Sequence, residues 1–284
     1  MNPATRTRHL NQWLQSHSQQ DMSYPALHGF LCARLTGPTA PDWQDPLAGL
    51  LPHDTVLDEK SAEALHHLIA ELEAQLQQHQ LQLVLINVPA GDLMQGGHGL
   101  AGIPGQEQAY HHALLEAMAY ARALQVPTVN VLAGRQPEDA DLLPCLRTLH
   151  HNLQRTVQEC ALHGIQPVLE AINGTDMPGF LIQNIAQMQQ MLEQPGLASL
   201  KMQYDCYHMA MMGEAVLEGL QANLSRIGHI QFADWPGRQE PGTGLLAFEK
   251  IFAWLAQSGY AGHVGAEYRP SRRTADTLHW LHPA

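Results

Sequence analysis

The sequence predicts an α/β protein, a (β/α)8 TIM barrel forming a single domain over residues 1–284, with an atypical N-terminal segment at 1–60. Two observations carry this. From about residue 61, helical and strand patterns alternate with short Gly/Pro punctuation, the signature of repeated βα units and a parallel sheet. Oxygen-bearing side chains also recur at one address, the C-terminal end of an apolar strand-like run: Glu170, Asp205, Gln231 and Glu267. In an α/β barrel those ends form the mouth, where ligands bind. A length of 284 residues suits one such barrel, which often needs roughly 250.

Taken in order, Ser61 is an N-cap for a helix whose apolar stripe runs Leu65, Leu68, Ile69, Leu72 and Leu76. A strand at 83–86 ends before Asn87, and a Gly-rich loop at 90–105, read as a mobile lid, leads to a helix at 107–124. A strand at 128–132 and a helix at 142–163 follow, and the next strand, 168–170, carries Glu170. Later strands at 201–205, 230–233 and 264–267 carry Asp205, Gln231 and Glu267. That makes six, so a closed eight-stranded barrel requires two more before residue 61. Segment 26–35 reads as one strand, 55–57 as a short second, and the Pro-rich 36–52 as an irregular loop.

Composition excludes several classes of function. The formal net charge of -12 argues against nucleic acid as a partner, since phosphate binding wants a basic surface. No apolar run approaches the roughly 18 residues that span a bilayer, so no membrane partner is expected. The polar first 20 residues carry no apolar leader core, which predicts a cytoplasmic location. Cys32, Cys145, Cys160 and Cys206 are widely spaced without a CxxC pair, arguing for reduced thiols and against a thiolate zinc site. Apolar helix stripes serve either to cover the barrel or to form a dimer interface, and a homo-oligomer is the expectation.

The four strand-end residues lie 35, 26 and 36 positions apart in turn, each close to one βα unit. Three carboxylates and an amide oxygen form a hard donor set that suits Mg²⁺ or Mn²⁺, with Co²⁺ as a third choice, better than Zn²⁺. His208 follows the strand end by three residues and reaches into the mouth, while Arg238 follows the Pro236-Gly237 turn. A guanidinium there forks onto a substrate carboxylate, or else pairs with Glu240. A metal flanked by Glu170 and Glu267 suits proton transfer between adjacent carbons of a hydroxy-carbonyl compound: the metal polarises the carbonyl, one Glu removes the proton and one returns it. That is isomerase or epimerase chemistry. No GxSxG serine and no Gly-rich nucleotide turn competes with it.

From about residue 61 onward the chain resembles the hydroxypyruvate isomerase branch of the xylose-isomerase-like TIM-barrel superfamily. The stretches that carry the resemblance include Asn87-Val-Pro-Ala-Gly-Asp92, Leu169-Glu-Ala-Ile-Asn173 with Asp176-Met-Pro-Gly179, and Gln203-Tyr-Asp-Cys-Tyr-His-Met209. Gly228 to Arg238, Glu240-Pro-Gly-Thr-Gly244 and Gly265-Ala-Glu-Tyr-Arg-Pro270 complete it. The resemblance implies that Glu170 and Glu267 are acid/base pair and metal ligands, that Asp205 and Gln231 complete the metal site, and that His208 and Arg238 contact substrate. It further implies interconversion of hydroxypyruvate and tartronate semialdehyde, or the same shift on a slightly longer keto acid. Thr175, Ala171, Leu245 and Phe248 depart from the family pattern, the first and last two removing polar groups expected near the mouth. Three alternatives stay open: a ketose 3-epimerase or other sugar isomerase, a non-catalytic homologue that keeps the site, and a metal-dependent endonuclease, against which the acidic charge speaks.

Overall fold

The computed structural model describes residues 81–281, apart from Leu124, together with Gln78. The expected Ser61 helix and the candidate strands at 26–35 and 55–57 lie outside the described residues, as does Cys32. The described residues fall into two compact units, one of residues 87–111 with 128–281, the other within Met1–Ile86 and His112–Pro127.

Six strands among the described residues lie in sequence order in one sheet: β1 (Leu85–Asn87), β2 (Thr128–Leu132), β3 (Gln166–Glu170), β4 (Lys201–Asp205), β5 (Ile227–Phe232) and β6 (Val264–Ala266). From β2 to β6 every pairing is parallel. Strands β2, β3 and β4 are buried on both faces, so their polar members Asn130, Glu170, Gln203 and Asp205 are as buried as the apolar residues between them. Between strands come α1 (Glu107–Ala123), α2 (Leu142–Ala161), α3 (Ile185–Leu192), α4 (Cys206–Met211), α5 (Val216–Asn223) and α6 (Phe248–Gln257). The βα order is the one the sequence predicts. Boundaries shift by a few residues: β5 starts at Ile227 and β6 ends at Ala266, so Glu267 stands one residue beyond its strand.

Helix α2 buries Cys145, Leu149, Leu153 and Cys160 at helical spacing. Polar members of the same face are satisfied: Asn152 donates to the Ala101 carbonyl at 2.8 Å, and Thr156 shares a 2.7 Å hydrogen bond with the Tyr110 hydroxyl. The Asn152 bond ties the Gly-rich loop down. Leu93 is fully buried, Asp92 accepts the Gly99 N–H at 3.0 Å, and the Arg135 N–H donates to the His98 carbonyl at 2.9 Å. The loop expected to be a mobile lid is thus anchored at several points along its length. A second cluster packs Phe232 of β5 against Phe248, Phe252 and Trp280 with ring centroids 5.3 to 5.5 Å apart. Phe248 is a core residue here, not a mouth residue as its place in the sequence pattern suggested. Cys145, Cys160 and Cys206 are buried. No described helix is long and apolar enough to cross a membrane.

Candidate active site

Parallel pairing brings the strand ends together but not level with one another. Glu170 is in register with Gln203, Asp205 with Gln231, and Gln231 with Gly265, so the polar residues climb from strand to strand. Glu170, the last residue of β3, is 5% exposed, and Asn130 from β2 donates its Nδ2 to Oε2 at 3.0 Å. The same Nδ2 donates to Asn87 Oδ1 at 3.0 Å. Gln203 also hydrogen-bonds Glu170 and donates Nε2 to Gln231 Oε1. A polar row thereby runs along the sheet from Asn87 to Gln231.

Asp205 ends β4 and caps α4. Its Oδ1 accepts the N–H groups of Tyr207 and His208 at 2.7 and 3.2 Å. Its Oδ2 is buried with no hydrogen-bond partner among the described residues, His208 Nε2 lying 4.0 Å away. The short helix that follows directs His208 back over the strand end, and Asn173 Nδ2 donates to His208 Nδ1 at 2.7 Å. Nδ1 therefore accepts, which leaves the ring proton of neutral His208 on Nε2. Asn173 also donates to Asp176 at 3.0 Å, and the Tyr207 hydroxyl donates to the same carboxylate oxygen at 2.9 Å. Arg238 pairs with Glu267 at 3.1 Å and lies over the Tyr207 ring, 5.1 Å from its centroid. Glu240, its alternative partner, instead accepts from the Ser271 N–H at 3.0 Å and from the Ser271 hydroxyl.

The electrostatics follow from this crowding. Burial, then the nearby Asp205 and Glu267 carboxylates, push Glu170 up to about 8, against hydrogen bonds from Asn130 and Gln203. Asp205 is raised too, again chiefly by burial. Burial and the Arg238 charge push His208 down to about 4, so it is neutral near pH 7. Glu170, Asp205 and His208 offer ligand atoms that all lie within 4.8 Å of one another, all three residues buried.

Those residues fit a cation. An Asp205 Oδ2 with no hydrogen-bond partner among the described residues, carboxylates raised chiefly by burial, and a neutral His beside them are a donor set suited to a positive charge. Of the six residues singled out in the sequence, Glu170, Asp205 and His208 converge directly. Gln231 joins through Gln203, while Glu267 and Arg238 form a pair on the adjacent strand end. In the described arrangement His208, expected to meet substrate, stands with two expected ligands, while Gln231 Oε1 and one carboxylate oxygen of Glu267, Oε2, have protein partners. Sequence reasoning missed Asn130, Gln203, Asn173, Asp176 and Tyr207 as members of the site. Asn130 and Gln203 left one signal, a polar amide inside an otherwise apolar strand.

A family model described as xylose isomerase-like TIM barrel matches residues 47–284. The chain belongs to that family. It is 36% identical over 217 residues to the 2-oxo-tetronate isomerase of Cupriavidus necator, covering 76% of this chain and 84% of the relative. It is equally 36% identical over 215 residues to the hydroxypyruvate isomerase of Escherichia coli, covering 76% and 83%. Among solved structures, a protein titled AP endonuclease, family 2 from Brucella melitensis superposes with a TM-score of 0.71 at 32% identity, over 75% of this chain and 83% of that one. The fold also matches a 3-keto-D-glucoside 4-epimerase from Escherichia coli at a TM-score of 0.63 and 20% identity, over 75% and 83%. Membership accounts for the sheet: six consecutive parallel strands are successive strands of a (β/α)8 barrel.

Proposed function

We propose that this family member is an isomerase that interconverts a small 2-keto acid hydroxylated at C3 with its 2-hydroxy-3-oxo isomer: hydroxypyruvate with tartronate semialdehyde, or 2-oxo-tetronate with the corresponding 3-keto acid. One observation carries the reading. Glu170, a buried carboxylate raised well above the usual carboxylate range, stands with Asp205 and His208 beside a second carboxylate, Glu267, that is paired to an arginine. The names of the 36% identical relatives support the substrate class.

In this reading Arg238 leaves part of its hold on Glu267 to take the substrate carboxylate, for which its planar fork is suited. Neutral His208, its Nδ1 fixed by Asn173, donates Nε2–H to a substrate oxygen. One of Glu170 and Glu267 removes the proton from C3, a proton moves between the two oxygens of the enediolate, and the other Glu protonates C2, the former carbonyl carbon. Glu170, Asp205, Gln231 and Glu267 would hold Mg²⁺, Mn²⁺ or Co²⁺, with His208 close enough to Asp205, at 4.0 Å, to join or to face substrate. The ion supplies Lewis-acid polarisation of the carbonyl and charge for the developing enediolate. One barrel domain in the cytoplasm, acting as a homo-oligomer on a free small molecule, completes the proposal.

The test is turnover of hydroxypyruvate and of 2-oxo-tetronate by purified protein with Mn²⁺ or Mg²⁺, with a panel of C3 to C6 ketoses alongside. Expected is keto-acid isomerisation that stops with a chelator and returns with the ion. In D₂O the product should carry deuterium on the reprotonated carbon. Glu267→Gln should lower kcat by at least about 10²-fold with the circular dichroism unchanged. Turnover of ketoses without keto acids would replace this reading by the epimerase one, and no turnover of either by metal-loaded protein would sink both.

A further inference from the structure

The loop between β5 and α6 presents Arg238, and its shape depends on a buried carboxylate outside the predicted site. Asp234 is 1% exposed. Its Oδ1 accepts the N–H groups of Trp235 and Leu246 at 2.9 and 3.1 Å, and its Oδ2 those of Gly242 and Gly244 at 2.8 and 2.9 Å. Four backbone donors of one loop thus converge on one side chain, and hydrogen bonds to an ionised acceptor are the strong kind. The backbone closes the same enclosure, with Asp234 N–H on the Gln239 carbonyl and Leu245 N–H on the Trp235 carbonyl, both at 2.8 Å. The packing leaves no slack at Gly244, where a Cβ would lie 2.1 Å from the Trp235 oxygen and 2.6 Å from Asp234 Oδ1. Inside this enclosure Arg238 holds φ at +52°, a conformation that residues with a Cβ seldom choose, so the loop imposes it.

We propose that Asp234 is the positioning residue for Arg238. By drawing Trp235, Gly242, Gly244 and Leu246 onto one carboxylate, it holds the loop in the shape that sets the guanidinium 3.1 Å from Glu267 and over Tyr207. The proposal rests on the reading that Arg238 meets the substrate carboxylate. An amide cannot substitute for the acid, because each oxygen takes two N–H groups, and whichever way an Asn is turned its NH₂ faces two donors.

The test compares the metal-loaded wild type, Asp234→Asn, Gly244→Ala, Arg238→Ala and the double variant Asp234→Asn with Arg238→Ala. With hydroxypyruvate, Asp234→Asn and Gly244→Ala should each lower kcat/KM by about 10- to 100-fold, the scale of a misplaced binding group. In the Arg238→Ala background the Asp234→Asn loss should shrink to about twofold or less, because its route of action is already gone. Amide hydrogen exchange across residues 235–246 should rise at least about tenfold in Asp234→Asn while β3 and β4 stay protected. Equal losses in both backgrounds would overturn the proposal, and so would unchanged exchange at residues 235–246. Gly244→Ala disturbs the same enclosure while keeping Asp234 itself, so the comparison survives if Asp234→Asn does not fold. If the wild type turns over no keto acid, the isomerase reading fails separately, and calorimetric binding of pyruvate replaces turnover in the same comparison. Pyruvate binding that is equally tight with and without Arg238 would then overturn the proposal.

Discussion

Replacing Asn173 by Asp changes one group at the centre of the site. The retained Oδ1 still accepts the N–H groups of Thr175 and Asp176 at 3.0 and 2.8 Å, so the turn after β3 is preserved. The Nδ2 that donates to His208 Nδ1 at 2.7 Å and to Asp176 at 3.0 Å becomes an acceptor. His208 then gains by moving its proton to Nδ1, which strips Nε2 of the hydrogen it would offer to substrate. Losing a donor in a buried site costs about 1–3 kcal/mol. Expressed fully in the transition state, that is roughly a 5- to 150-fold fall in kcat/KM. Two carboxylates, at 173 and 176, would also face each other and lower the thermal midpoint by several degrees. Steady-state kinetics with hydroxypyruvate supplies the rate, and ¹⁵N spectra of histidine-labelled protein, with His208→Gln for assignment, supply the tautomer. Wild-type protein with Nδ1 of His208 already protonated, or a variant within about twofold of wild-type kcat/KM, would refute the reasoning.

Arg238→Lys retains the charge but loses the planar fork and the stack on Tyr207, so KM for a keto acid should rise about tenfold with a smaller change in kcat. An unchanged KM would remove Arg238 from substrate recognition. Phe248→Ala opens the cluster of Phe232, Phe252 and Trp280, and denaturant unfolding should show a loss of about 3–5 kcal/mol while the folded protein keeps kcat/KM within about threefold. A loss under about 1 kcal/mol would show that Phe248 is not packed as described. Cys145, Cys160 and Cys206 are buried, with burial pushing the Cys160 thiol up to about 12. Iodoacetamide at pH 8 should therefore leave all three unlabelled in the native protein and label them in denaturant, as peptide mass spectrometry would report. Native-state labelling at any of the three would contradict that burial.

Much of the architecture was legible because a parallel strand buried on both faces and an amphipathic helix leave different periods in the sequence. Strand β2 at Thr128–Leu132 and helix α2 from Leu142 matched their expected positions for this reason. The convergence of Glu170 and Asp205 was legible because a charged residue closing a buried strand has few structural uses. Gln203 was not, since nothing local marks a strand amide as the bridge between Glu170 and Gln231. Asp234 escaped for a related reason: its partners are backbone N–H groups, which carry no residue signature. Phe248 misled, because sequence order puts it after the mouth loop, whereas opening α6 turns its ring onto Phe232.

By itself, then, the sequence determined the order of the βα units and the kind of atom at each strand end, both of which are local properties of a chain with a fixed side-chain period. Only the tertiary structure decided which atom meets which. Asn130 reaches Glu170 across 40 positions and Asn173 reaches His208 across 35, and such pairs exist only once parallel register has stacked the strand ends in steps. That stacking removes water from Glu170 and Asp205 and sets the Asp205 charge against Glu170 and Glu267, and so turns an expected row of oxygens into a buried cluster that could hold a cation.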